Sequence, residues 1–158
     1  MRGKISIALV ALLIPALIAA VALATTASGK PSRTTITLRL RSQIEHVQFV
    51  DNAPQGRSAG DVLLFTERLL DTGGQPVGSD AAQCTFLFDE RSLCTGTYIL
   101  PDGQVMVHLL QPGLGLSGVY TQAITGGTGA YARATGTVTV DQRPDGDRFS
   151  LDIHLPKH

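Results

Sequence analysis

The chain has 158 residues, a length that suits one domain with a substantial core and is short for two. Its 13 basic and 13 acidic residues give no net charge. Because nucleic-acid binding needs a basic face that displaces counterions, this balance argues against a nucleic-acid partner.

The N-terminal residues 1–24 are predicted to be a signal peptide. Arg2 and Lys4 supply the positive start, an uncharged apolar run follows, and Ala22-Leu23-Ala24 offers the small-x-small cleavage pattern. An apolar run of about 20 residues also spans a bilayer, so an uncleaved anchor is the alternative. Either way the domain is expected outside the cytoplasm, and cleavage would leave a secreted protein without a membrane attachment.

The small polar residues 25–34 are predicted to form a flexible linker, and residues 35–158 one folded domain. In that domain apolar residues alternate or come in short runs between Gly, Pro, Asp and Asn, which is typical of β-structure. A change of apolar parity near Glu45-His46 predicts a β-bulge in the first strand. Eight strands are predicted, at about 35–50, 61–70, 81–88, 92–100, 104–110, 116–125, 133–141 and 148–155.

Short turns between consecutive strands predict an antiparallel meander, and Pro101-Asp102-Gly103 and Pro144-Asp145-Gly146 are such turns. Eight strands would leave two exposed edges unless the sheet closes. Eight is also the number at which a barrel interior fits side chains or one small ligand. The pattern therefore predicts an all-β fold, an eight-stranded antiparallel up-and-down β-barrel, with a two-sheet sandwich as the alternative.

The two cysteines, Cys84 and Cys94, flank a predicted hairpin whose turn lies near Asp89-Glu90-Arg91. If the loop holds an odd number of residues, they oppose each other on the two strands, where their Cβ atoms come close enough for a disulfide. An oxidising compartment would preserve that bond. Two buried free thiols, or one functional thiol, remain the alternatives.

Three segments carry a resemblance to a known family: GDVLLFTERLLDTGG (60–74), PVGSDAAQC (76–84) and AITGGTGAY (123–131). In this order and spacing they resemble the barrels of allene oxide cyclases and dirigent proteins, over roughly residues 60–155. The resemblance implies a closed barrel, no metal, no organic cofactor and a homotrimer. The glycines of the GGTG stretch are interpreted as a tight turn between strands.

The chemistry of that family concerns small, reactive molecules. Allene oxide cyclases close an unstable epoxide to a cyclopentenone, and dirigent proteins hold two phenoxy radicals so that they couple with one stereochemistry. The resemblance implies an exported barrel that binds a small apolar molecule in an apolar cavity and guides its cyclisation or stereochemistry, as a cofactor-independent cyclase or isomerase. A non-catalytic secreted barrel, a lipocalin-like carrier or a structural module, is the alternative.

Glu67 and Tyr120 are the candidate catalytic residues. Glu67 stands where the cyclases have an Asn, and it shares a strand face with Phe65 and Leu69. Inside a barrel its pKa would rise, making it an acid or base; on the outer face it would pair with an Arg at a subunit interface. Tyr120, near the family Tyr before the glycine turn, is suited to donate to a developing oxyanion. Its alternative is a core tyrosine with its hydroxyl at the barrel mouth.

Other polar residues receive structural interpretations. The dirigent Asp and Arg positions are Ala130 and Thr135 here, which favours the cyclase chemistry over the dirigent chemistry. His108, alone on an apolar strand, is interpreted as a core or interface residue. Paired-His, HExxH and GxSxG patterns are missing from the sequence, so metal-dependent and serine-hydrolase readings have no support.

Overall fold

The computed structural model describes residues 33–88, 91–111 and 118–157. The predicted signal peptide and nearly all of the predicted linker lie outside these ranges, as do the turn residues Asp89 and Glu90. Each described strand pairs antiparallel with its sequence neighbours, and the last strand pairs with the first to close a barrel. The eight-stranded up-and-down barrel is thus confirmed, and the sandwich alternative is wrong. Within the described ranges, no helix has the length and apolar character needed to cross a membrane.

The strands agree with the predicted bounds to within about two residues, except at the third. That strand begins at Pro76 and not at Ala81, because the preceding turn is tighter than expected. The Asp71 side chain accepts hydrogen bonds from the backbone N–H groups of Gly73 (2.8 Å) and Gln75 (2.9 Å), so the chain has turned by Gln75. The elements are β1 (Arg33–Val50), β2 (Val62–Leu70), β3 (Pro76–Phe86), β4 (Ser92–Leu100), β5 (Gly103–Gln111), β6 (Gly118–Gly127), β7 (Thr135–Gln142) and β8 (Arg148–Pro156), with a 3-10 helix at Gly129–Tyr131.

The predicted β-bulge in β1 is confirmed. The register of β1 against β2 skips Glu45, between Ile44 and His46. The extra residue restores Val47 and Phe49 to the inner face, opposite Phe65 and Leu63 of β2.

The two ends of the barrel differ. The packed end holds the β2–β3 and β4–β5 turns and the 3-10 helix, whose Tyr131 is buried. Its interior is apolar, because alternate residues of all strands point inward, and seven of them are fully buried in the cluster around Leu69, Tyr98, Val105, Val138, Val140, Leu151 and Ile153.

The GGTG stretch does lie at the connection between β6 and β7, but its glycines have different roles from one another. Of the three glycines, Gly129 alone has positive φ, at 59°. Gly127 is needed for close approach, since a Cβ there would lie 2.4 Å from the carbonyl oxygen of Tyr131 and 2.5 Å from that of Gln104.

The opposite end, called the mouth here, holds the loop of residues 51–61, the β3–β4 connection and the β7–β8 turn. Just inside it, Cys84 of β3 and Cys94 of β4 are register partners and form a disulfide. The predicted disulfide is therefore confirmed, and both cysteines are buried. The bond ties together two neighbouring strands beside the interior of the mouth half.

Candidate functional site

Polar side chains line the inner face of the mouth half of the barrel. Glu67 of β2 is the register partner of Asp80 of β3, and Asp80 is the register partner of Tyr98 of β4. Partners across an antiparallel ladder share a face, so these three side chains form one row across three strands. The row lies next to the apolar core, and its residues are 3%, 5% and 0% exposed respectively.

Phe65, Glu67 and Leu69 share one face of β2, as predicted. That face points into the barrel, so Glu67 is an inner residue. The hydroxyl of Ser42 donates a hydrogen bond to Glu67 Oε1 at 3.2 Å. Burial, together with the nearby charges of Asp80 and Asp147, raises the pKa of Glu67 to about 7, despite the opposing effect of the Ser42 bond. A carboxyl with this pKa exchanges its proton near neutral pH.

Asp80 was not predicted as a site residue. Burial raises the pKa of its carboxyl to about 7, although backbone hydrogen bonds at Ala81 and Thr97 favour the charged form. Its Oδ1 atom is buried and has no hydrogen-bond partner in the described part of the chain. Asp80 alternates with Ala82 and Cys84 on the same strand face, which would have placed it inside the barrel. It was missed because the third strand was predicted to begin only at residue 81.

Asp147, in the turn before β8, is the third carboxyl of the site. Its backbone N–H donates to Ser42 Oγ at 3.1 Å, which places it beside Glu67. Burial is the main reason that the pKa of Asp147 is raised, against hydrogen bonds from the Arg143 backbone and the Gln142 side chain. Asp147 was read as part of a turn, so its inward position was missed.

Two tyrosines complete the site. The Tyr98 hydroxyl donates to Gln122 Oε1 at 2.9 Å, and its ring packs edge-on against Phe149 with ring centroids 5.4 Å apart. Tyr120, the predicted catalytic tyrosine, is half-buried on β6 and lines the same pocket as Glu67. Burial and then the neighbouring charges raise the pKa of both tyrosines above their usual range, so both hydroxyls stay protonated and can donate.

The pocket between these groups is narrow and is lined by both polar and apolar side chains, which differs from the apolar cavity expected from the sequence. The cavity itself has a volume of about 30 Å³. About 420 Å³ is free of protein atoms when the solvent-open mouth is included. The difference has a clear cause, because inward-facing Asp80, Gln122 and Asp147 occupy positions that an apolar cavity would leave to aliphatic side chains. The disulfide and Phe149 complete the walls.

Beyond the pocket the inner face of β1 becomes apolar and exposed. β1 pairs with β8 from Arg33 to Arg41 and then continues beside β2 to Val50. The mouth wall, defined as Ile44, Val47 and Phe49, is 63%, 57% and 44% exposed. Phe49 also packs edge-on against Phe86, with ring centroids 5.9 Å apart.

Two further polar residues considered from the sequence point outward, although His108 also contributes to the lining of the pocket. Glu45 at the bulge pairs with Arg68 on the outer face, and His108 is exposed on β5. The described parts of the chain contain no group of three or more His, Cys, Asp or Glu side chains placed to hold a metal ion.

Comparison with known proteins identifies the family to which the chain belongs. The profile of the family described as "Allene oxide cyclase barrel like domain" matches residues 41–155. Among solved structures, a pyocyanin demethylase is 31% identical, with a TM-score of 0.67 over 75% of this chain and 99% of that chain. No curated protein matches the sequence significantly.

Two further solved structures share the fold at low identity. The exo-specific intermolecular Diels-Alderase AbnU is 12% identical, with a TM-score of 0.64 over 78% of this chain and 99% of that chain. The pterocarpan synthase dirigent protein GePTS1 is 16% identical, with a TM-score of 0.58 over 80% of this chain and 89% of that chain.

Proposed function

Since the chain belongs to the allene oxide cyclase barrel-like family, we propose that it binds a small, largely apolar organic molecule at the barrel mouth and promotes its cyclisation or isomerisation. The observation that carries this proposal is the pairing of two buried carboxyls, Glu67 and Asp80, across β2 and β3. They open onto a pocket that Tyr120 also lines.

The pair is suited to move a proton at neutral pH. The pKa of each carboxyl is about 7, so a protonated carboxyl and an ionised one coexist near that pH. The protonated group can act as a general acid and the ionised one as a general base, and general acid–base catalysis is most efficient when the pKa lies near the working pH. Glu67 is thus the proposed acid or base, with Asp80 as its partner.

Tyr120 is proposed as the hydrogen-bond donor to oxygen. It keeps its proton because burial raises the pKa of its hydroxyl. A half-buried hydroxyl at the pocket edge can stabilise negative charge that develops on a substrate oxygen. Confinement of the substrate in a reactive conformer would supply a further part of the rate enhancement.

The neighbours support catalysis without fixing the reaction. One of these structurally similar proteins is a demethylase, one a Diels-Alderase and one a pterocarpan synthase of the dirigent type. Similar barrels therefore host different chemistries, and the function has to be argued from the site. The paired carboxyls favour proton transfer on this chain.

A second candidate function is binding without turnover. The narrow pocket favours it, because about 30 Å³ admits one or two water-sized groups and not a whole organic molecule. A carrier of this kind would hold its ligand mainly at the mouth.

The proposed function is tested by ligand capture followed by turnover. The full chain is isolated from its own host, and native mass spectrometry identifies co-purifying small molecules, which are then incubated with fresh protein. Glu67→Gln should bind the molecule and lose at least about a hundredfold in conversion rate. Asp152→Asn is the matched control, because Asp152 lies on the outer face and accepts from Thr37 Oγ1. Binding without conversion by the wild type would instead support the carrier function.

Export and cleavage after residues 1–24 remain part of the proposal. A disulfide and an apolar N-terminal run are compatible with an extracytoplasmic location. The mass of the protein recovered from culture supernatant tests this, because cleavage after Ala24 fixes the mass of the mature chain.

A homotrimer, the assembly implied by the family resemblance, is the proposed oligomer. Its support is an uncharged outer surface on β3 to β6. Apart from His108, the outward side chains there are uncharged, and they are Ser79, Ala81, Gln83, Thr85, Leu93, Thr95, Thr97, Ile99, Gln104, Met106, Leu110, Val119, Thr121, Ala123 and Thr125. Charged residues are depleted at the centres of protein interfaces.

A further inference from the structure

One buried acceptor in the site has no donor. Asp80 is 5% exposed, and its Oδ1 atom lacks a hydrogen-bond partner in the described ranges. A buried polar atom without a partner costs free energy comparable to a lost hydrogen bond. Because this atom belongs to a residue that lines the inner pocket, a ligand that brings a donor would remove that cost.

The charge of the pocket points to the kind of donor. Glu67, Asp80 and Asp147 line the pocket, and its described lining residues include no Lys or Arg. The one imidazole in the lining, His108 of β5, is an exposed outward residue. The titratable groups that interact electrostatically with Asp80 are Glu67 from β2, Tyr98 from β4, Tyr120 from β6 and Asp147 from the β7–β8 turn, and each of them is either neutral or negatively charged. A cationic donor would therefore be complementary to these four groups.

The size of the pocket limits what can enter. A cavity of about 30 Å³ holds one or two non-hydrogen atoms. An ammonium group is of that size, whereas a ring system is not. Any larger body must therefore remain outside the inner pocket.

The mouth wall offers a place for that body. Val47 is the register partner of Phe65, and Phe65 lies two residues along β2 from Glu67 on the same inner face. The apolar surface of Val47 and Phe49 is thus continuous with the pocket that holds the carboxyls. Covering that apolar surface would add a favourable contribution to the free energy of binding, offset in part by the losses of association.

We infer that the site takes an amphipathic amine, whose protonated nitrogen enters the inner pocket and donates to Asp80 Oδ1 while its apolar body lies against Val47, Phe49 and Phe65. This inference rests on the proposed function, since it specifies the ligand class for the same site. It adds that the ligand carries an N–H donor with positive charge.

The test compares three compounds that share one apolar body. 1-Naphthylmethylamine carries the cationic donor, 1-naphthylmethanol a neutral donor and 1-naphthoate a negative charge. Binding to the purified protein is measured by calorimetry at pH 7. We expect the amine to bind at least about tenfold more tightly than the alcohol, and the alcohol more tightly than naphthoate.

Proton exchange gives a second measurement that needs no variant. A bound ammonium favours the ionised carboxyls, so binding at pH 7 should release protons, seen as a dependence of the heat on the buffer's ionisation enthalpy. The affinity for the amine should rise about tenfold between pH 6 and pH 8, while that for the alcohol should stay nearly constant.

Two variants distinguish the contribution of the ligand's ammonium group from that of its apolar ring system. Asp80→Asn should weaken the amine at least about tenfold and leave the alcohol nearly unchanged, whereas Phe49→Ser should weaken both alike. Equal affinity for amine and alcohol in the wild type, or an unaltered amine affinity in a folded Asp80→Asn chain, would overturn the inference. Binding of the alcohol alone would overturn it while leaving the proposed function standing. Failure of all three compounds to bind would count against both.

Discussion

Glu67 and Asp80 face each other across β2 and β3, and both carboxyls lie in the interior of the barrel. Burial disfavours the ionised form of Glu67, and the negative charge of Asp80 disfavours it further, so the pKa of Glu67 is raised. This arrangement makes the fold itself sensitive to pH.

The first prediction concerns that sensitivity. The pKa of Glu67 is about 7 in the folded chain, above its ordinary value of 4.5, so the folded state binds the proton more tightly than the unfolded state. The stabilisation from this group is complete below pH 4.5 and is lost as the pH rises through 7. We expect the free energy of unfolding to fall by about 3 kcal/mol between pH 4.5 and pH 8, with Asp80 acting in the same direction.

Urea unfolding of the wild type and of Glu67→Gln at pH 4.5, 6 and 8 measures this effect. The variant should show a flatter pH dependence and exceed the wild type in stability at pH 8. Asp152→Asn, on the outer face, is the control and should follow the wild type. Parallel curves for wild type and Glu67→Gln would contradict the buried, perturbed carboxyl.

The second prediction separates the two tyrosines. Tyr98→Phe removes the donor to Gln122 Oε1 and should lower the free energy of unfolding by about 1–2 kcal/mol. Tyr120→Phe should change stability by less than about 0.5 kcal/mol, because Tyr120 is half-buried and has no side-chain hydrogen bond among the described residues. Ligand conversion should show the opposite order, with the larger loss in Tyr120→Phe. Chemical denaturation and turnover of the captured ligand check the two halves.

The third prediction concerns the disulfide. Cys84 and Cys94 are separated by 10 positions, so the bond closes a short loop, and its loss should cost about 2–3 kcal/mol. Reducing agent should therefore lower the melting temperature of the wild type and leave the Cys84→Ala, Cys94→Ala double variant unaffected. Two titratable thiols in the native, unreduced protein would rule out the bond.

The fourth prediction concerns the loop at the mouth. Asp61 is fully buried, and its carboxylate accepts from the backbone N–H groups of Asn52 (2.8 Å) and Ser58 (2.5 Å). Asp61→Ala should cost about 2–4 kcal/mol and speed amide exchange at residues 52 and 58. Asp51→Ala is the matched control, because exposed Asp51 accepts one bond, from Gly56 N–H at 3.1 Å, and should change stability little. Equal effects of the two changes would argue against Asp61 as the anchor of the loop.

The fifth prediction tests the proposed trimer. Thr95→Arg places charge on the neutral outer surface of β4, while Ser150→Arg places it on the outer face of β8, away from β3 to β6. Light scattering after size-exclusion chromatography should show a trimer for the wild type and Ser150→Arg, and a monomer for Thr95→Arg. A monomeric wild type would remove the trimer from the proposal.

The fold was predictable because its signals are local and repeated. Alternating parity and Pro-Asp-Gly turns specified the strands, and the parity change at Glu45 specified the bulge. The spacing of Cys84 and Cys94 across a hairpin favoured a disulfide over free thiols, on the condition that the two residues face each other, and the structure fulfils that condition.

The site was only partly predictable because it depends on register between strands. Parity predicted that Glu67 shares a face with Phe65 and Leu69, but it left open whether that face points into the barrel. Pairing with Asp80 requires the alignment of β2 with β3, which parity alone does not provide. Asp147 was missed because a turn residue has no parity, and the narrow pocket reflects the summed volume of side chains from several strands.

The division between the packed end and the mouth bears on how such barrels diverge. Most of the core cluster lies toward the packed end and the pocket lining lies toward the mouth, although Val107, Tyr120 and Phe149 belong to both. If the proposed ligand binds at the mouth, substitutions at Val47, Phe49 or Asp147 would alter its recognition at little cost to folding. A lineage carrying this scaffold can acquire new substrates by drift at one rim, and relatives with one barrel and unlike reactions are the expected result.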